Sequence, residues 1–459
     1  MSSKKQIKLG FSIWPTGRHA SAWRLPEANP FGTVDPALLV RTAQQVEAAK
    51  FDYFFIGNKL ASEPEAEERQ HLYVFKVDAF TLAAHVAAVT ERVGIVATVN
   101  ANFIDPYSTA RSAATVDHLS RGRHAVNFIT SKESGVNYGR ATDLPSDYER
   151  YTELLEIIQA LWDSWEDGAI LGDKAGGRWV DRAKAHRIDY EGRHFQVQGP
   201  LNLPRPPQGQ IPIIHAGGSE ASKEFGARFA DIRFSPFVDL EWNRVYYRDV
   251  KSRLQKYGRS PEDHHILPGL TFYAAETSRE AHAKYREVHE LVVAAYDAAA
   301  VGQRLGIDAT GLDPRTRVLD VVDIDALPKV LDPGPAGIFA AQNKGSFIRL
   351  LQHSYGEEDI TLQDVHNATA NGVYPQAPVV GGYREVADFL EEAVDSEAID
   401  GAVLFPAYLP GSLDQFTSLV VPELQRRGRF RKEYTTSTFR EHFGLPEVPN
   451  RFAAVPAGV

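Results

Sequence analysis

The chain has 459 residues, 43% hydrophobic and 24% charged, with a formal net charge of −10. That is ample apolar material for a large globular core, and an acidic chain without a long basic run argues against a nucleic-acid partner. No apolar stretch reaches the roughly 20 residues of a membrane span. With no cysteine, and Met1 as the single methionine, a disulfide, a thiolate metal site and a cysteine nucleophile are all excluded.

Eight short β-rich runs are predicted in chain order: 7–13, 52–57, 93–99, 124–130, 211–215, 231–236, 267–274 and 401–407. Continuous apolar character, rather than strict alternation, suits parallel strands buried on both faces. Amphipathic stretches lie between them. Leu39, Ala43 and Val46 share a face after the first run, and Val386, Phe389, Leu390 and Ala393 share one before the last. Eight βα units with no second switch in pattern predict a (β/α)8 TIM barrel with insertions, a single domain over 1–459. The insertions are a Glu-rich loop at 58–78, a stretch at 167–210 with a hairpin-like segment (186–197), and 297–380, dense in Gly, Pro and Asp. Residues 430–459 read as an arm packed on the surface or on a neighbouring molecule. No signal-peptide core follows Met1, so the chain reads as cytoplasmic.

The strongest local signal is the segment 211–231, where a buried strand runs into Gly217-Gly218-Ser219 and then a helix. Glycines admit close backbone approach, Ser219 caps the helix, and the free N–H groups favour an anion. A phosphate cradle competes here with an ordinary tight βα turn. The exit of the first strand, Phe11 to Arg24, gathers Trp14, His19 and Trp23 beside two arginines, a pocket wall with a titratable group. Asn58, Thr98, Asn100, Asn127 and Ser131 fall at strand ends, where barrel active sites are built. The histidines form neither HxH nor HExxH, so no metal site is expected, and Gly-x-Ser-x-Gly is absent.

Six ordered motifs carry a resemblance: HASAWR (19–24), FDYFFIGNKL (51–60), DPYSTARSAATVDHLSRGR (105–123), YERYTELLEIIQALWDSW (148–165), HAGGSEASKEFGARFAD (215–231) and DGAVLFPAYLPGSLDQF (400–416). From about residue 7 to 446 the chain resembles the long luciferase-like two-component flavin monooxygenases that include nitrilotriacetate, EDTA and dibenzothiophene-sulfone monooxygenases. The resemblance implies FMN, reduced by a separate NAD(P)H:flavin reductase, with O2 as co-substrate and a small organic molecule as acceptor. It also implies a homodimer or homotetramer. The family's flavin contacts fall on Asn58, Thr98, Leu144, Tyr148 and Ser219, with Gly217 and Gly218 in the phosphate turn. Position 58 is commonly Asp in the family, and position 144 is His in some members. Phe11, Trp14 and Phe55 are expected on the substrate side, and His19 near the catalytic His. A second substrate-side His of the sulfone enzymes would fall in 297–345, which contains none. That segment is expected to be a mobile lid.

The expected reaction is oxygen transfer with cleavage of a carbon–sulfur bond in a sulfone, sulfide or sulfonate. Cleavage of carbon–nitrogen or carbon–halogen bonds, a deazaflavin-dependent dehydrogenase and a non-catalytic flavin-binding protein are the alternatives. The sulfur reading starts from composition. A large core ordinarily uses Met as gap-filler and Cys as a small buried residue, yet neither occurs after position 1. Avoidance of peroxide damage explains their absence near a flavin, whereas economy of sulfur explains it throughout the chain.

Overall fold

All eight β-rich runs form strands: β1 (Lys8–Ser12), β2 (Tyr53–Ile56), β3 (Gly94–Asn100), β4 (His124–Ile129), β5 (Ile213–Ala216), β6 (Ile232–Ser235), β7 (His265–Ala275) and β8 (Gly401–Pro406). The computed structural model describes residues 5–62, 74–131, 135–139, 147–235, 237, 239–327, 344–356, 359–370 and 378–453. Each strand pairs in parallel with the next, and β8 pairs with β1, so the sheet closes into a barrel. The far end of β7 also pairs with an accessory strand, Pro378–Gly382, outside the ring.

Period-two alternation divides the strand residues. Leu9, Phe11, Phe54, Ile56, Ile95 and Leu404 point outward into a core shared with the helices α1 (Pro36–Ala48), α2 (Ala79–Val89) and the later Tyr383–Asp395. Tyr53, Phe55, Val96, Ala125, Ile214, Ile232, Leu267, Val403 and Phe405 fill the barrel. Gly10 lies on the inner face because a Cβ there would collide with the Tyr53 ring. Further helices follow the strands: α3 (Pro106–Ser120), α4 (Tyr148–Asp163), α5 (Glu220–Phe229), α6 (Leu240–Arg253) and α7 (Ser278–Glu290). Helices α1 to α4 each start at an Asp cap, with Pro opening α1 and α3.

The insertions are more ordered than their composition predicts. In 167–210 the expected hairpin pairs Tyr190–Glu191 with Gln196–Val197, and a second pairs Ile170–Asp173 with Arg178–Val180. The 297–380 segment carries α8 (Ala298–Leu305), α9 (Lys344–Tyr355) and α10 (Leu362–Ala370). Val301, Leu305, Ile348, Leu351, Leu362 and Val365 bury themselves with α7 in a satellite core. The described first part of the expected lid, 297–327, is therefore a packed element, and the remainder from 328 to 343 lies outside the described residues.

The C-terminal arm corrects another expectation. Its 439–445 part runs under the barrel and closes its floor, while Asn450 and Phe452 lie outside against Asp163 and His186. Phe439 and Phe443 stack on each other with ring centroids 5.0 Å apart and meet Tyr53 at 5.8 and 5.9 Å. Arg431 pairs with the buried Asp52, whose other oxygen accepts the Leu9 N–H at 2.7 Å. Phe439 and Phe443 are thus interior residues of the barrel, each worth about 1.5–3 kcal/mol of burial.

Candidate active site

At the C-terminal end of the strands the barrel opens into a cavity of about 540 Å³. Its aromatic floor comes from inward positions on three strands and the exit of a fourth. Phe55 stacks on Phe234 at 6.2 Å, Phe234 meets Phe405 at 5.9 Å, and Trp14 stands edge-on to Phe405 at 6.1 Å. Above this floor Ser12, Asn58, Lys59, Lys76, Thr98, Asn100 and Asn127 supply polar groups. Asn127 donates to Thr98 Oγ1 at 3.1 Å, and Asn58 donates to the Thr98 carbonyl at 3.2 Å. Asn127 Oδ1 is buried and has no hydrogen-bond partner among the described residues. An unsatisfied buried acceptor costs about 1–3 kcal/mol, so a donor from a ligand is the natural way to satisfy it.

The turn after β5 borders the same mouth, since Ala216 is on the cavity wall. Ser219 caps α5 by accepting the Ser222 N–H at 3.2 Å. Gly217 has φ +128°, and a Cβ there would collide with Ser222 Oγ. A buried scaffold fixes this turn. His215 Nδ1 donates to the Phe128 carbonyl at 2.8 Å, leaving Nε2 3.1 Å from Ser222 Oγ. The Arg233 guanidinium donates to the Gly217 and Ser222 carbonyls and to the Tyr246 hydroxyl. Burial, with Arg233 next, pushes His215 down to about 3, so it is a neutral structural group. Tyr148, at the start of α4, packs on Phe225 of α5 at 5.6 Å, which brings it to the α5 side of the mouth.

The structure therefore brings Trp14, Phe55, Asn58 and Thr98 onto one cavity wall, with Gly217, Gly218, Ser219 and Tyr148 beside it. Leu144 lies outside the described residues. Phe11 is a correction. It sits between inward Gly10 and Ser12, so the pleat turns it outward, where it meets Phe51 and Phe54 at 6.4 and 5.9 Å and is not on the wall of this cavity. His19 is also not on the wall of this cavity. Its ring is buried against His289 at 4.8 Å, and its Nδ1 accepts the Ser21 N–H at 3.1 Å. His19 is thus a buried group held where the exit of β1 packs on α7. A second His does accompany His19, but on α7 rather than in 297–345. Burial pulls His289 down to about 3.

Lys76 and Arg233 were not legible as site residues. Lys76 lies near the end of the Glu-rich loop and belongs to no motif, while Arg233 sits in a run that reads as a plain buried strand. Lys76 reaches over the Trp14 ring at 4.0 Å, and burial first, then the Arg18 cation, pulls its ammonium down to about 8. Among the described residues, Asp147, Glu149 and His194 form a cluster with metal-ligand spacing. It contributes no residue to the cavity wall; Glu149 pairs with Arg193 at 3.0 Å, and His194 Nε2 lies 3.7 Å from Asp147. No helix among the described residues is long and apolar enough to cross a membrane.

Comparison with known proteins agrees with this geometry. Residues 12–327 match the family profile described as luciferase-like monooxygenase. The chain is 36% identical to nitrilotriacetate monooxygenase component A of Aminobacter aminovorans, over 99% of each chain. It is 34% identical to N-acetyl-S-(2-succino)cysteine monooxygenase of Bacillus subtilis (strain 168), over 98% of this chain and 99% of that one. The crystal structure of DmoA from Hyphomicrobium sulfonivorans superposes with a TM-score of 0.79 at 28% identity, covering 96% of this chain and 93% of that one.

Proposed function

We propose that this chain, which belongs to the luciferase-like monooxygenase family, is the oxygenating component of a two-component system that takes reduced FMN from a separate NAD(P)H:flavin reductase and uses O2 to split a carbon–sulfur bond. The observation that carries the flavin part is the pairing of an aromatic-floored mouth with a Gly217-Gly218-Ser219 turn at a helix N-terminus. The residues fit a phosphorylated flavin. The turn and the α5 N-terminus suit the phosphate, and the unpartnered Asn127 Oδ1 suits an imide N–H of the ring. When bound, reduced FMN supplies two electrons that, with two from the substrate, reduce O2 to water and one inserted oxygen atom. The chain's own residues would hold the phosphate at the turn and the ring in the mouth, where Phe55, Phe234 and Phe405 keep water from the reacting centre.

The sulfur reading is supported by the full-length likeness to an enzyme named for an S-substituted cysteine and by the absence of Cys and of any Met beyond Met1. Insertion of oxygen into a C–H bond beside sulfur gives a hemithioacetal, which separates into a thiol and an aldehyde. The likeness to a nitrilotriacetate enzyme supports a second reading, in which the same insertion beside nitrogen gives a carbinolamine that separates into an amine and an aldehyde. The test is to supply reduced FMN from a generic reductase, O2, and panels of sulfides, sulfones, sulfonates and aminopolycarboxylates. Release of thiol from sulfides, sulfinate from sulfones or sulfite from sulfonates, each with an aldehyde, is the expected result, and turnover confined to the amine panel would replace the first reading with the second.

A further inference from the structure

Among the described residues, the wall of the barrel mouth carries cations and no acid. Lys59 and Lys76 are on its wall, and neither Asp nor Glu is among the wall residues. A smaller cavity of about 240 Å³ adjoins it, sharing Trp14 and Lys76 and otherwise lined by apolar groups such as Ile13, Ile56 and Leu82 with Thr16 and Thr33, again without an acid among the described residues. Two cations grip Trp14: Lys76 Nζ lies 4.0 Å from the ring centroid and the Arg18 guanidinium carbon 4.9 Å. A cation–π contact returns about 0.5–2 kcal/mol, while two like charges on one indole repel each other in a partly desolvated site. Among the described residues no carboxylate pairs with Lys76. The indole N–H of Trp14 is itself buried without an acceptor among them. A positive group, an unmet donor and an apolar recess thus meet at one point.

That point is far from the phosphate turn. Lys76 and Trp14 stand at the β1–β2 side of the mouth, and the turn follows β5, diametrically opposite in the ring of eight strands. We infer that Lys76 anchors an anionic headgroup of the substrate, a carboxylate or a sulfonate, with Trp14 and the apolar recess receiving the adjoining chain. The inference rests on reading the mouth as the shared flavin and substrate site. The headgroup supplies a counter-charge to Lys76, and its position opposite the turn keeps it from competing with the FMN phosphate.

The test is calorimetric titration of the FMN-loaded protein with 3-(methylthio)propanoate, with 3-(methylthio)propanesulfonate and with the neutral amide of the first. Binding of an anion with no detectable binding of the amide is expected, and the tighter anion identifies the headgroup. Lys76→Gln should weaken the anion roughly ten- to a hundredfold, the scale of a charge-assisted hydrogen bond, whereas Lys76→Arg should keep it within a few fold. FMN affinity should stay unchanged in both variants. Equal binding of amide and anion would overturn the inference, as would a Lys76→Gln protein that loses FMN instead of the anion. The titration needs no turnover, so its failure is separable from failure of the product assay.

Discussion

The Gly217 turn offers the sharpest perturbation, because its geometry and its proposed ligand can be measured separately. At φ +128° an L-residue is strained, by about 1–3 kcal/mol. Gly217→Ala adds a Cβ that meets Ser222 Oγ, with Ser222 Cβ 3.1 Å away. Ser222 Oγ then leaves the Ala216 carbonyl (3.2 Å) and His215 Nε2 (3.1 Å), at about 1 kcal/mol for each hydrogen bond. The sum is about 3–5 kcal/mol against the native turn, and the turn has no cheaper way to stay closed. FMN affinity, followed by quenching of flavin fluorescence, should fall at least a hundredfold, with a lower melting temperature. Ser219→Ala is the milder comparator. It removes the α5 cap, about 1 kcal/mol, and a phosphate hydrogen bond of about 1–2 kcal/mol, so affinity should fall roughly five- to thirtyfold. Wild-type FMN affinity in Gly217→Ala, with a lowered melting temperature proving the strain, would remove this turn from the flavin site.

Three further outcomes follow from the same structure. Asn127→Leu should weaken FMN by about 1–2 kcal/mol in the fluorescence titration, because the unpartnered Oδ1 is lost; an unchanged affinity would detach Asn127 from the ring. Phe443→Ala, at the barrel floor, should cost about 3–5 kcal/mol in denaturant unfolding, whereas an arm that merely decorates the surface would cost under about 1 kcal/mol. Burial depresses His124, His215 and His289 to about 3 each. Their stabilising contribution is therefore complete above the unfolded value near 6.5 and is lost as pH falls toward 3, at about 1.4 kcal/mol per group per pH unit. Melting temperatures measured from pH 7 to pH 4 should fall in that window, and His289→Phe should make the fall shallower.

The sequence by itself determined the barrel. Each β-rich run is a strand, because parallel strands covered on both faces need unbroken apolar segments and the order of βα units permits one closed ring. It also determined the family, through six motifs in fixed order, and the cap at Ser219, whose chemistry is local. The direction of Phe11 was within its reach, since Gly10 and Ser12 alternate with it, but which parity faces inward depends on the whole ring. Tertiary structure alone decided the rest. Phe439 and Phe443 lie at the far end of the chain from Tyr53, and nothing in their local pattern distinguishes a barrel floor from a surface arm. His19 and His289 meet only because the β1 exit and α7 pack together, and Arg233 becomes the clamp on Gly217 only once β5 and β6 are side by side. Lys76 lies near the end of a loop without periodicity, so its place over Trp14 is set by closure of the ring and by no signal that local sequence carries. Contacts across such separations are fixed by the packing of the complete barrel, and periodicity and caps report only on neighbours within a few residues.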